Sequence, residues 1–190
     1  SNSGWAAYDG NQCWMGMSLH STPGQELGNW QLRMNDSGNQ NSVANKIAVQ
    51  ASPQGWVTKP NLPAFHVGSP NVAGGSAGSA WRCHANALWL NRGGHYDNSN
   101  GRFTAPITGI YFFSAWHFTG GTSAFYLRIN GSTFGEYAWD DTGGCATWVC
   151  PMTANQYAQI YTKYTWRGNS DFHNGFCGYL IAVSYTHLRA

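Results

Sequence analysis

Charge is scarce in this chain: only 9% of its 190 residues are Asp, Glu, Lys or Arg, and the formal net charge is +2. The ten Lys and Arg are scattered singly between Arg33 and Arg189. They build no basic stripe to hold a phosphate backbone, so nucleic acid is not an expected partner. No apolar run reaches the length that spans a bilayer, so membrane insertion is not expected. The start, Ser1-Asn2-Ser3-Gly4, has neither a Met nor a basic-then-apolar signal pattern, which points to a fragment whose N-terminus lies further upstream. Catalytic motifs are missing as well: there is no nucleophile elbow, no phosphate-cradling Gly loop and no His-Glu-x-x-His. His84, His95 and His117 therefore read as hydrogen-bonded structural residues, and the chain reads as a non-enzyme. Its five cysteines, Cys13, Cys83, Cys145, Cys150 and Cys177, show no metal-finger spacing, and an odd number cannot form a complete disulfide framework.

Aromatic residues and glycine are plentiful, at 15% aromatics and 24 Gly. Such material suits short strands joined by tight turns and is poor for exposed helices. From residue 85 onward the hydrophobic pattern has a period of two. Ile110, Phe112, Ser114, Trp116 and Phe118 alternate with Tyr111, Phe113, Ala115 and His117, so this strand is largely apolar on both faces. Phe125, Leu127 and Ile129 share one face of the next strand, while Tyr126 and Arg128 share the other. Aromatics fall on both faces again between residues 157 and 166, with Tyr157 and Tyr161 opposite in phase to Tyr164 and Trp166. Turn signals at Arg92-Gly93-Gly94, Asn98-Ser99-Asn100-Gly101, Asn130-Gly131, Gly143-Gly144 and Arg167-Gly168-Asn169 punctuate these runs. Together they predict an all-β, two-sheet antiparallel jelly-roll sandwich.

Upstream, the pattern predicts a short hairpin from Ile47 to Pro60 about the turn Ser52-Pro53-Gln54-Gly55, leading into Pro63-Ala64-Phe65-His66-Val67. Residues 1–45 are rich in Asn, Gln, Ser and Gly yet carry Trp5, Trp14 and Trp30, which predicts irregular β structure packed on something rather than disorder. The expected organisation is an N-terminal extension or connector over 1–62, a jelly-roll domain over 63–182 and a non-native tail over 183–190.

Asn91, Tyr96, Phe103, Gly109, Tyr111 and Phe113 stand at the spacing of a known signature, although Ala85 and Ala115 replace two of its aromatics. With the run Phe176-Cys177-Gly178-Tyr179-Leu180-Ile181 and the segment Leu127-Arg128-Ile129-Asn130-Gly131, the chain resembles the complement C1q-type globular domain, a trimeric binding module of the tumour necrosis factor superfold. The lead-in before residue 67 is similar to a connector in tail fibres of marine bacteriophages. Val183-Ser184-Tyr185-Thr186-His187-Leu188-Arg189-Ala190 resembles a translated sequencing adapter, which implies a metagenomic source for the DNA.

Several expectations follow from the resemblance. It implies a homotrimer, with the strands 109–118 and 157–166 in the inner sheet and Tyr111, Phe113, Tyr157, Tyr161 and Tyr179 at the axis or interface. It places Cys83 and Cys177 in one sheet, where they could pair in a disulfide or remain small buried thiols. Residues 132–144 would be a long loop, and 166–173 a turn. Phe134, Glu136, Tyr137, Trp139, Trp166, Arg167 and Asp171 there form an aromatic and acidic set suited to a host-surface glycan or protein. Ten Trp exceed what one small core buries, and Trp139, Trp148 and Trp166 could stack on sugar rings. Glu136, Asp140 and Asp141 are the one acidic cluster. They could ligate calcium or belong to a solvated loop, and no other cofactor is expected. Three functions remain open: a recognition head at the tip of a virion fibre, a secreted extracellular C1q-like ligand or lectin, and a fibre trimerisation cap without a ligand.

Overall fold

Strands account for nearly all the regular structure of the chain, and no α-helix occurs among the described residues. The computed structural model describes residues 4–9, 12–20, 29–34, 46–52, 54–68, 87–118, 123–139, 143–163 and 174–183. Two compact units divide the chain, Ser1–Leu62 and Pro63–Ala190.

The first unit is a five-stranded antiparallel meander of β1 (Gly4–Asp9), β2 (Gln12–His20), β3 (Asn29–Met34), β4 (Lys46–Ala51) and β5 (Val57–Thr58), each paired with its sequence neighbour. It is thus a regular sheet where the sequence suggested irregular structure. Polar strands can pair this way because cross-strand amides satisfy one another: Gln31 faces Gln50, and its Nε2 donates to Oε1 at 3.1 Å. The hairpin between β4 and β5 closes as expected, with Gly55 N donating to Ser52 O and Ser52 N to Trp56 O, both at 2.9 Å. Gly55 takes a φ of +86° there, a conformation that favours glycine.

The second unit is a sandwich of two five-stranded sheets. Its strands are β6 (Ala64–Gly68), β7 (Leu88–Arg92), β8 (Tyr96–Asp97), β9 (Arg102–Thr104), β10 (Gly109–Phe118), β11 (Ser123–Ile129), β12 (Ser132–Trp139), β13 (Gly143–Met152), β14 (Tyr157–Thr162) and β15 (Gly175–Val183). One sheet runs β13-β10-β15-β6-β7 and the other β12-β11-β14-β9-β8, all antiparallel, with the crossovers of a jelly roll.

Aromatic packing joins the two sheets. Tyr111, Phe113, Ala115 and His117 on β10 all point inward and are buried. Phe65 stacks on Tyr96 at 5.0 Å and on Phe103 at 4.9 Å, and meets Phe176 edge-on at 4.8 Å. Offset and edge-to-face contacts of this kind add to the stabilisation from area burial. Trp148 on β13 points inward as well, 6.0 Å from Phe125 and directly over Gly135 on β12, where a Cβ would lie 2.3 Å from the indole nitrogen. The indole therefore fills the open edge of the sandwich.

Four expectations are corrected here. Residues 132–139 form β12 instead of a loop; Asn130 and Gly131, at φ of +50° and +82°, make a two-residue hairpin turn whose twist suits pairing of β11 with β12. The strand β14 lies in the opposite sheet from β10, because it pairs with β11 and β9. The closing strand extends to Val183, which pairs with Gly109. Finally, Tyr111 and Phe113 are fully buried within their own subunit, so neither can make interface contacts.

Candidate assembly and recognition surfaces

The sheet β13-β10-β15-β6-β7 has an outward face made by the residues that the core leaves over. Alternation turns Ile110, Phe112, Ser114 and Trp116 of β10 away from the core. Register then sets them in rows across the sheet: Val149, Phe112, Tyr179 and Ala64 in one, and Thr147, Ser114, Cys177 and His66 in the next. Phe112 and Tyr179 touch, with ring centroids 5.1 Å apart. Val149 is 59% exposed, Tyr179 45% and Ile181 48%. The strands β13, β10 and β15 contain no Lys, Arg, Asp or Glu, so no formal charge on these three strands opposes covering this face. Toward β7, His66 lies between Trp89 at 4.7 Å and Trp116 at 5.7 Å, and burial lowers its pKa. Neutral imidazole is the form an apolar face accommodates at physiological pH.

The other sheet presents a different outward face. Arg128 on β11, Gln159 on β14 and Arg102 on β9 stand opposite one another in a single row. Arg128 lies 4.0 Å from the centroid of Tyr161 and 5.8 Å from that of Tyr126, and Arg102 lies 4.1 Å from that of Tyr157. These cation–π contacts hold both guanidiniums against the sheet. Gln159 is almost fully buried, at 2% exposure, and its Nε2 donates to the carbonyl of Asn100. Its Oε1, together with Nε of Arg102 and Nε of Arg128, is buried with no hydrogen-bond partner among the described residues. Glu136 on β12 faces Tyr126 in register and forms an exposed ion pair with Lys163 at 3.4 Å. Side-chain and backbone hydrogen bonds from Ser99 hold the carboxyl of Asp97 below its ordinary pKa, with Arg102 adding a smaller attraction.

Measured against these surfaces, the sites expected from sequence scatter. Tyr179 sits on the apolar outward face, whereas Tyr157 and Tyr161 lie on the opposite sheet as the rings beneath Arg102 and Arg128. Phe134 is the unpaired extra residue at a bulge of β12 and is exposed. Tyr137 stacks on Phe125 at 5.1 Å with its hydroxyl end against Gly144, so its ring braces the sandwich edge. The same holds for Trp148, which faces inward and not toward a sugar. Cys177 carries a free thiol, raised in pKa by burial. Cys83, Asp140, Asp141, Trp166, Arg167, Asp171 and the side chain of Trp139 lie outside the described residues. No group of three His, Cys, Asp or Glu capable of holding a metal occurs among the described residues. Arg102, Arg128 and Gln159 were not among the sites expected from the sequence. All three occupy outward positions in the alternation, but only the pairing of β11, β14 and β9 brings them together.

Residues 64–140 match a family model described as the C1q domain. Among solved structures, the globular domain of zebrafish complement 1qA protein superposes with a TM-score of 0.54 at 14% identity, covering 64% of this chain and 99% of that one. Rabbit GITRL and pika GITRL give TM-scores of 0.45 at 8% and 9% identity, covering 64% of this chain and 96% and 98% of theirs. No curated protein matches the sequence.

Proposed function

Since the unit from Pro63 onward is a C1q-like jelly roll, we propose that the protein is a non-enzymatic recognition head that assembles as a homotrimer through the outward face of the sheet β13-β10-β15-β6-β7. The observation that carries this reading is the apolar face itself: three adjacent strands without a formal charge, with Val149, Tyr179 and Ile181 each about half exposed in the single chain. Covering such a face gains on the order of 25 cal/mol for each Å² of apolar area removed from water. A second copy of the same chain supplies a matching uncharged surface, and a closed ring of three leaves no copy with an uncovered face.

Three identical heads on one rigid assembly turn weak single contacts into firm attachment through effective concentration. The head would act at the tip of a viral fibre and engage a host-surface glycan or protein. Support for the fibre is the similarity of the lead-in before residue 67 to phage fibre connectors. Support for recognition is the tyrosine and arginine face of the second sheet, which the proposed assembly leaves open.

The double variant Val149→Glu/Tyr179→Glu places two carboxylates on the proposed interface without altering an inward position. Light scattering should then report a single-chain mass with the strand content preserved by circular dichroism, and attachment to host cells should fall by more than the loss of one site. An unchanged mass for the double variant refutes the interface.

A further inference from the structure

The row Arg128, Gln159, Arg102 is unusual in what it leaves unpaired. The Nε atoms of both guanidiniums are buried without a hydrogen-bond partner among the described residues, and the heads lie over tyrosine rings, with Asp97 opposite Arg102 as the one carboxylate in the row. A buried amide oxygen, Gln159 Oε1, lies between them without a donor. Leaving such groups unsatisfied is costly, and sites that do so are candidates for an external partner. Adjacent strands are about 4.8 Å apart, which puts the Arg102 and Arg128 backbones about 10 Å apart across β14.

We propose that this face binds a carboxylate-bearing polysaccharide, such as a chain of hexuronic acid residues, with one sugar carboxylate at each arginine. The planar guanidinium fork matches a carboxylate with two parallel hydrogen bonds, which a point-charge ammonium cannot reproduce. Beside the arginines, the exposed parts of Tyr126, Tyr157 and Tyr161 offer apolar surface to sugar C–H groups. An acidic peptide fits less well. β11, β14 and β9 are paired on both sides, so no strand edge is free there to satisfy a peptide backbone. A dense polyanion fits less well too, because Glu136 and Asp97 border the row and hold the local positive charge down. The inference deepens the reading of the domain as a recognition head and is independent of its trimeric state.

The test is calorimetric titration of the full chain with a galacturonic acid oligomer long enough to span both arginines, beside a neutral galactose oligomer, polyglutamate and dextran sulfate. The oligogalacturonate should bind and the neutral oligomer should not. Arg102→Gln and Arg128→Gln should each lower the affinity about tenfold or more, the loss expected for a charge-assisted bidentate contact. Arg102→Lys/Arg128→Lys should weaken it comparably although the charge is retained. Thermal unfolding of each variant, matched to the parent, shows that the fold survives. Binding of polyglutamate or dextran sulfate as tight as that of oligogalacturonate overturns the proposal, as does parental affinity in the lysine variant or no binding at all. Light scattering on the same samples reports assembly separately, so a failed trimer and a failed glycan site are distinguishable.

Discussion

Acidification provides a sharp test of the core because of His117. This residue is 4% exposed, faces inward from β10, and has the Phe125 ring 5.8 Å away. Burial lowers its pKa from 6.5 to about 4, since the apolar interior disfavours the imidazolium. In the unfolded chain the same imidazole titrates at its ordinary value. Between pH 6.5 and 4 the unfolded state therefore binds more protons than the folded one, and stability rises with pH across that window and is lost as pH falls through it. At about 1.4 kcal/mol for each pH unit, the loss reaches about 3 kcal/mol by pH 4, a substantial part of the stability of an ordinary domain. The assay is guanidinium denaturation followed by near-ultraviolet circular dichroism at fixed protein concentration, at half-unit steps from pH 7 to 4. His66 and His95 are also lowered by burial and give a slope of the same sign, so His117→Gln is measured in parallel. Glutamine does not titrate, and the variant should lose most of the difference in slope whatever its stability at pH 7. Parallel curves for parent and variant would show that His117 is hydrated or protonated in the folded state, contrary to its placement.

Three further outcomes follow from packing. Phe103→Ala removes a fully buried ring that meets Phe65, Tyr111 and Phe113, and should cost about 3 to 5 kcal/mol in chemical denaturation. Gly178→Ala would set a Cβ 2.4 Å from the Phe113 ring and 2.8 Å from the Phe112 carbonyl oxygen; as Phe113 is itself enclosed by rings, overpacking should cost about 1 to 3 kcal/mol by the same measurement. Burial pushes the Cys150 thiol up to about 11, so in native protein at pH 8 peptide mapping should find Cys150 untouched by iodoacetamide until denaturant is added.

Much of the jelly roll was legible because alternation is a property of the strand itself. The run 109–118 announced a strand whatever its neighbours, and Asn130-Gly131 announced a hairpin because few other pairs accept two positive φ values. Which face of a doubly apolar strand turns inward was not legible. Tyr111 and Phe112 are neighbouring aromatics, and packing against Phe65, Phe103 and Phe176 decides that Tyr111 and Phe113 are core while Phe112 joins the outer face. The resemblance misled at β12, where it implied a long loop; Gly135 suits a strand there because the Trp148 indole occupies the place of its side chain. The arginine and glutamine row was hidden for a third reason. Arg102, Arg128 and Gln159 come from three segments far apart in sequence, and strand pairing, which no local pattern encodes, is what aligns them.

The molar mass of the chain in solution tests the trimer most directly. Sedimentation equilibrium from low micromolar to high micromolar concentration should return three times the 20.8 kDa chain mass, with little dependence on concentration. A constant mass of 20.8 kDa across that range would mean that the apolar face of β13, β10 and β15 stays in water, and would contradict the proposed trimeric head.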